Sequence, residues 1–314
     1  MLSSQYEVLS QARDSLLKGN KVTLVTVIKT WGTSPRPIGS LLCVSSCGQF
    51  CGSVSGGCIE DDLLDRLISN PPQNIDVIKY GETAEERHRF GLPCGGTVEL
   101  LLEPLNQTSD LDLLLNTIEA RKVCMRITDI ESSEVSIKPC HSGFTTPSLN
   151  NESWTNIIGP AWRIFLVGAG DISRFLADMA VALNYQVIVC DPRPSYRSGW
   201  DTKKGVIAQG YPDDALQALE IDSRTAVVAL SHDPKLDDLA IMEALRSDAF
   251  YVGVMGSQRT NDARRQRLME YFEFSQEELS RLKGPVGISI GSKTPAEIAL
   301  SVLADITSIK NSLD

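Results

Sequence analysis

Along the second half of the chain, short runs of consecutive apolar residues alternate with stretches in which apolar positions recur every three or four residues. The runs at 163–167, 186–190, 205–208, 225–230, 250–254 and 286–290 have strand length, and 172–183, 213–218, 234–246 and 260–269 have helical spacing. Strands that lack polar alternation are covered on both faces, so this half predicts a parallel sheet with helices on each side, joined by right-handed crossovers. The expected strand order is 3-2-1-4-5-6, in which ligands bind outside the carboxyl ends of the strands at the switch between the first and fourth.

The first half has a different pattern. Residues 22–28 read as a strand, 41–45 and 50–54 as a hairpin closed around Ser46-Cys47-Gly48, 58–69 as a helix, and 75–79 and 97–103 as further strands. Between the halves, Ser, Thr, Asn and Pro accumulate, most densely at 141–156, the composition of a join rather than of a core element. Within it, 111–120 predicts a helix, and 123–128 with 134–138 an appended hairpin. The expected fold class is α/β: a mixed α+β domain at 1–105, a linker at 106–160, and a Rossmann-like doubly wound domain at 161–314.

Composition narrows the function classes. The chain has 314 residues, 40 acidic and 30 basic, for a net charge of −10. That length suits two domains. The acidic excess is spread along the chain, which argues against nucleic acid as a partner. No uncharged apolar stretch approaches the ~18 residues of a membrane helix, and residues 1–21 mix charged and polar side chains where a signal peptide needs an apolar core. The expectation is a soluble, cytoplasmic protein without a membrane partner. Its eight cysteines should stay reduced. Cys43, Cys47 and Cys51 are spaced by four, which matches no common zinc knuckle, so no metal site is expected.

The candidate chemistry lies at strand ends and in glycine loops. Strand 163–167 runs into Gly168-Ala169-Gly170-Asp171-Ile172-Ser173 and then a helix, and Asp191 ends the next strand, 21 residues after Gly170. This is the context of a dinucleotide site: Gly168 and Gly170 for the turn and close backbone approach, helix amides for a pyrophosphate, Asp191 for ribose hydroxyls. Ser173 replaces the third glycine, and Asp171 places a carboxylate beside the phosphate position. In the competing reading the turn serves packing alone. His232, at the exit of the fourth strand, borders the same crevice, or caps the following helix and bonds Asp233. Lys293 follows the sixth predicted strand, and Thr294-Pro295-Ala296-Glu297 reads as a helix cap. Arg259, Arg264, Arg265 and Arg267 suit a solvated helix face better than a phosphate cluster.

In the first domain, Ser55-Gly56-Gly57-Cys58-Ile59-Glu60 puts a thiol at a helix start, where free amides favour thiolate. Pro93-Cys94-Gly95-Gly96 repeats the idea before a strand. Ligand contact by these loops and buried thiols beside plain turns stand as level readings. Arg36, in the loop 30–39, suits a phosphate or carboxylate, or solvent.

Together these residues resemble the XdhC/CoxI family, accessory factors for xanthine dehydrogenase and related molybdenum hydroxylases. The resemblance rests on Gly32-Thr33-Ser34-Pro35-Arg36, Gly52-Ser53-Val54-Ser55-Gly56-Gly57-Cys58-Ile59-Glu60 and Pro93-Cys94-Gly95-Gly96 in the first domain. In the second it rests on Gly168-Ala169-Gly170, Asp191-Pro192-Arg193-Pro194, Ser231-His232-Asp233-Pro234, Tyr251–Ser257 and the run from Pro285 to Ala299. It leaves mainly 106–160 unmatched. Where the family usually has Gly-Ala-Gly-His, this chain has Asp171.

The resemblance implies a maturation factor that binds molybdenum cofactor (molybdopterin) as cargo, protects it, assists its sulfuration and delivers it to a molybdenum hydroxylase apoenzyme. Cys58 and Cys94 match the family's cysteine loops and are the expected contacts to the cofactor or its sulfur. A cysteine desulfurase as second partner and a homodimer are also implied. An NAD(P)-dependent oxidoreductase, with Asp191 on the ribose and His232 near the nicotinamide, is the alternative, and a purely scaffolding partner is a third. For an anionic cargo on a chain of net charge −10, local attraction is expected from amides at 56–58 and 168–171, helped by Arg36 or Lys293.

Overall fold

The computed structural model of the chain describes residues 3–32, 36–57, 59–90, 96–140, 146–150 and 152–313. These divide into two compact units that meet in sequence between Pro160 and Ala161.

The first unit opens with helix α1 (Ser4–Leu17), started by the Ser3 side chain on the Tyr6 amide, and continues into strand β1 (Val22–Trp31). β1 is the centre of a five-stranded antiparallel sheet. Beside it lie β2 (Leu41–Ser45) and then β3 (Phe50–Gly52); on its other side lie β5 (Thr97–Leu105) and then β4 (Asp76–Tyr80). Helices α2 (Glu60–Ser69) and α3 (Ala84–Arg89) fill the connections, and α4 (Ser109–Glu119) follows β5.

Successive residues of a strand point to opposite faces, and here each face has a cover. Val25, Val27, Leu42 and Val44 pack with Leu63 and Leu67 of α2, while Val22, Leu24, Leu41 and Cys43 pack with α1 and α4. This double burial explains the uninterrupted run at 22–28. Antiparallel pairing also gathers the connections: the carboxyl ends of β1, β3 and β4 and the amino ends of β2 and β5 lie at one end of the sheet.

The described residues of 106–160 fold as part of this unit, unlike the linker expected from sequence. α4 packs on α1, and β6 (Cys124–Asp129), β7 (Val135–Pro139), β8 (Ser148–Leu149) and β9 (Ser153–Ile158) form a second antiparallel sheet in the order β7-β6-β9-β8. The predicted hairpin is β6 and β7; β9 lies largely in the stretch whose composition argued for a loop. Much of its polar backbone and side-chain bonding is to partners distant in sequence: β9 pairs with β6 over six residues, and Asn156 Nδ2 donates to the Gly39 carbonyl. Trp154 supplies the buried anchor against Ile28 and Leu101. A buried ion pair, Arg126 Nη1 to Glu103 Oε1 at 2.8 Å, with Thr128 bonded to both, ties the second sheet to β5.

The second unit is the doubly wound sheet, all parallel, in the order β12-β11-β10-β13-β14-β15. Its strands are β10 (Arg163–Val167), β11 (Gln186–Cys190), β12 (Val206–Ala208), β13 (Thr225–Ala229), β14 (Tyr251–Val254) and β15 (Leu282–Lys283); its helices are α5 (Asp171–Ala182), α6 (Pro194–Arg197), α7 (Pro212–Leu219), α8 (Pro234–Leu245), α9 (Gln258–Phe272), α10 (Gln276–Ser280) and α11 (Pro295–Asn311). In chain order the strands run 3-2-1-4-5-6, as expected. Phe165, Val167, Val227 and Ala229 face α7 and α8, and Ile164, Leu166, Ala226 and Val228 face α5 and α11.

The sixth strand is Leu282–Lys283, which corrects the expected 286–290. Pro285 has no amide hydrogen to give a ladder, and Gly287 turns the chain at φ +93°, with the Ser301 side chain where a Cβ would stand. The Val286 amide reaches the β14 backbone at the Val254 carbonyl, and Ile288 and Ile290 are left exposed. Of the α9 arginines expected on a solvated face, Arg259 is exposed, but Arg264, Arg265 and Arg267 are engaged by the protein. Arg264 is buried and donates to Asp238, which Arg267 also holds, and Arg265 donates to the Leu282 and Gly284 carbonyls. They fasten α9 to α8 and to the edge strand.

Candidate functional site

At the gathered end of the five-stranded sheet, the chain leaves β3 through Ser53-Val54-Ser55-Gly56-Gly57 and enters α2 at Glu60. Glu60 is only 8% exposed and organises the whole turn. Its carboxylate accepts the backbone N–H groups of Val54, Ser55, Gly56 and Gly57 at 2.9–3.1 Å, the Ser53 hydroxyl at 2.6 Å, and the Ser55 hydroxyl. Wrapping four successive amides around one carboxylate requires backbone that only glycine adopts freely: Gly56 has φ +79° and Gly57 φ +110°. Burial opposes charge on Glu60, but the bonds from Ser53, Ser55 and the loop amides outweigh it and lower its pKa from 4.5 to about 2.

Arg36 joins this network from the neighbouring loop, with Nε on the Ser53 hydroxyl at 3.2 Å. Trp31, at the end of β1, is 70% exposed and stands opposite Thr97, the first residue of β5. Gly96 precedes Thr97, so it too lies at this end of the sheet.

In the second unit, Gly168 ends β10 at φ +98°, and a Cβ there would lie 2.6 Å from the Ser231 Cα. Gly168 therefore lets the ends of β10 and β13 close on each other. A Cβ at Gly170 would meet nothing within 4 Å, so the start of α5 is open on that side. Asp191 is 1% exposed, with both oxygens engaged. Oδ2 accepts the Ala169 amide at 2.9 Å and Arg193 Nη2 at 2.8 Å; Oδ1 accepts the Arg193 amide and Nε. Burial works against its charge and the Arg193 and Ala169 bonds prevail, so its pKa is lowered. The Arg193 guanidinium also stacks on Tyr196, 4.0 Å from the ring centroid.

His232 is exposed, with the backbone in the left-handed region at φ +59°. The helix cap that is its alternative role belongs to Asp233, whose side chain accepts the Lys235 amide. Ser231 turns instead to Asp237, a buried carboxyl at 2.6 Å whose pKa burial raises. Lys293 is exposed and does not follow a strand. It leads into α11, where its amide donates to Glu297 Oε2 in the Thr294 capping box.

Residues 15–69 match the XdhC and CoxI family, and residues 164–306 match the XdhC Rossmann domain. The chain belongs to the XdhC/CoxI family. Among its relatives, the molybdenum cofactor insertion chaperone PaoD of Escherichia coli (strain K12) is 29% identical over 96% of this chain and 88% of its own. A protein of Bacillus subtilis (strain 168) named as a probable xanthine dehydrogenase component is 26% identical over 93% of this chain and 94% of its own. A crystal structure of a xanthine dehydrogenase from Bacillus halodurans superposes over 97% of this chain and 96% of its own with a TM-score of 0.74; at 23% identity this shows a shared fold.

Of the family positions singled out from sequence, Cys58, Cys94 and Gly95 lie outside the described residues. Gly56, Gly57, Gly96 and Arg36 come together at one end of the first unit's sheet. Gly168, Gly170, Asp191 and His232 share the carboxyl rim of the second, and Lys293 is separate in the loop before α11. The expectation that amides at 56 and 57 face an anionic ligand is corrected, because Glu60 takes both; the Ala169 amide is likewise taken by Asp191. Glu60 is the residue that sequence reasoning passed over. Its signal was a carboxylate three residues after paired glycines, read only as part of a motif. Among the described cysteines, Cys43, Cys124 and Cys190 are buried, with thiols pushed up by burial to about 12, 11 and 12. Among the described residues, no group of three metal-ligating side chains occurs, and no helix is long and apolar enough to cross a membrane.

Proposed function

We propose that this chain is a maturation factor that binds molybdenum cofactor, assists its sulfuration and delivers it to a xanthine dehydrogenase-type hydroxylase. Its relatives named for cofactor insertion and for xanthine dehydrogenase support the role. The carrying observation is the Glu60-centred turn. It fixes Val54–Gly57 on one side of Cys58 and starts α2 on the other, at the sheet end to which Gly96 also leads.

Molybdopterin presents a soft dithiolene and a terminal phosphate. Thiols at Cys58 and Cys94 suit the soft end or its incoming sulfur, and Arg36, held by Ser53, suits the phosphate. A cysteine desulfurase would supply the sulfur, and a homodimer is the proposed assembly. The NAD(P)-dependent alternative asks Asp191 for a ribose diol, which would have to displace the Ala169 amide or the Arg193 guanidinium.

The test is retention of molybdopterin through gel filtration, together with maturation of the apo-hydroxylase. The wild-type chain should retain the cofactor, with Cys58→Ala and Cys94→Ala lowering retention. Absence of wild-type retention, or full maturation with the double variant, would overturn the reading.

A further inference from the structure

We propose that Trp31 is a stacking platform for the planar pyrimidinone face of the cargo's pterin, an inference that rests on the molybdopterin reading above. Trp31 is the last residue of β1, and its side chain is 70% exposed. The chain's other tryptophans all have places in the protein interior or at its margin. Trp154 is fully buried, Trp200 nearly so and bonded to the Gly205 carbonyl, and Trp162 is half-buried against Phe250.

Single exposed apolar residues are ordinary on protein surfaces. Trp31 is set apart by its position. It immediately precedes the Gly32–Arg36 motif, pairs in register with Thr97 directly after Gly96, and stands at the sheet end from which the Ser53–Gly57 turn departs. Trp31, Gly96 and the Ser53–Gly57 turn thus share one sheet end, where a fixed strand terminus presents an aromatic side chain to solvent. The ladder below it holds that terminus: Thr30 pairs with Val98 and Lys29 with Glu99, and Lys29 and Lys79 are both tied to the Glu99 carboxylate at 3.5 Å. With the backbone held this way, stacking of a ring restricts only the two torsions of the indole.

The chemistry of the ligand follows from the chemistry of the platform. An electron-rich indole face pairs with the electron-poor conjugated pyrimidinone ring of the pterin, while Arg36, bonded to Ser53 of the turn at this sheet end, suits the phosphate. Stacking of a nucleobase-sized ring on an aromatic side chain changes affinity on the order of tenfold or more.

The experiment loads the full chain with molybdenum cofactor and compares wild type, Trp31→Phe, Trp31→Gln and Cys58→Ala by molybdopterin retained after gel filtration. Quenching of tryptophan emission by the bound cofactor is recorded in parallel. Trp31→Gln should retain about tenfold less cofactor at limiting concentration with an unchanged unfolding midpoint, and Trp31→Phe should recover most of the loss. Quenching should be strong in wild type and weak in Trp31→Phe.

If wild type retains cofactor and Trp31→Gln matches it, stacking is wrong while the cargo reading stands. If Trp31→Gln retains cofactor but fails to hand it to the apo-hydroxylase, Trp31 is a protein-docking residue and stacking is again wrong. If wild type retains none, both readings fall.

Discussion

The two glycine turns, Ser55-Gly56-Gly57 and Gly168-Ala169-Gly170, look alike in sequence and hold their charge in different ways. Each precedes a helix, and in each a carboxylate occupies amides that a ligand would otherwise meet. In the first, Glu60 comes from the helix itself and takes four amides and two hydroxyls, all of them neutral donors. In the second, Asp191 comes from the neighbouring strand, takes one turn amide, and is paired with Arg193. The first turn is shaped around a charge and would lose its shape with that charge. The second is shaped by close approach of two strands at Gly168, with its charge neutralised locally.

The largest effect should follow from Glu60→Gln. The variant keeps the size but turns an amide donor toward N–H groups that need an acceptor, so the first unit should lose on the order of 3 kcal/mol in denaturant unfolding. The pH dependence gives the same contribution by another route. The folded pKa of about 2 lies below the ordinary 4.5, so the stabilisation is complete above about pH 4.5 and disappears as pH falls through about 2. Acid unfolding of wild type should show this component and Glu60→Gln should lack it; identical acid profiles would mean that the charge does not shape the turn.

Arg193→Ala should cost about 2 kcal/mol, less than a fully buried pair because Arg193 is partly exposed. Adding Asp191→Asn should recover part of the loss, since no unpaired charge is then buried. A double variant worse than the single would show that Asp191 is needed for the Ala169 amide alone.

The smallest effects separate space from backbone. Gly57 and Gly170 both have open space where a Cβ would go, but Gly57 sits at φ +110° and Gly170 at an ordinary negative φ. Gly57→Ala should cost about 1–2 kcal/mol and Gly170→Ala close to nothing, read as shifts in unfolding midpoint.

The doubly wound unit was legible because its signals are local. The first five strands are largely continuous apolar runs, α5, α7, α8 and α9 repeat apolar positions every three or four residues, and Thr294 to Glu297 spell out a capping box found as expected. The sixth strand failed because apolar content at 286–290 outweighed Pro285 and the turn at Gly287, which decide whether a ladder can form. β9 failed for the opposite reason: its Ser, Thr and Asn side chains resemble a loop until β6 lies beside them, and pairing between segments so far apart in the chain leaves no local mark. At the candidate site, residue types pointed to the loops, and register then brought Trp31, Arg36, Gly96 and the Ser53–Gly57 turn to one sheet end. The role of Glu60 required the turn's curvature, which spacing alone does not encode.

The edge strands of the parallel sheet carry a consequence for assembly. β12 has three residues and β15 two, so either border offers another strand only a few unpaired backbone groups. A border this short resists recruitment of a foreign strand and guards the second unit against edge-to-edge aggregation. Association of this unit with a second copy or a client enzyme would therefore use helix and loop surfaces, and hydrogen exchange on forming such a complex should leave the amides of β12 and β15 unchanged.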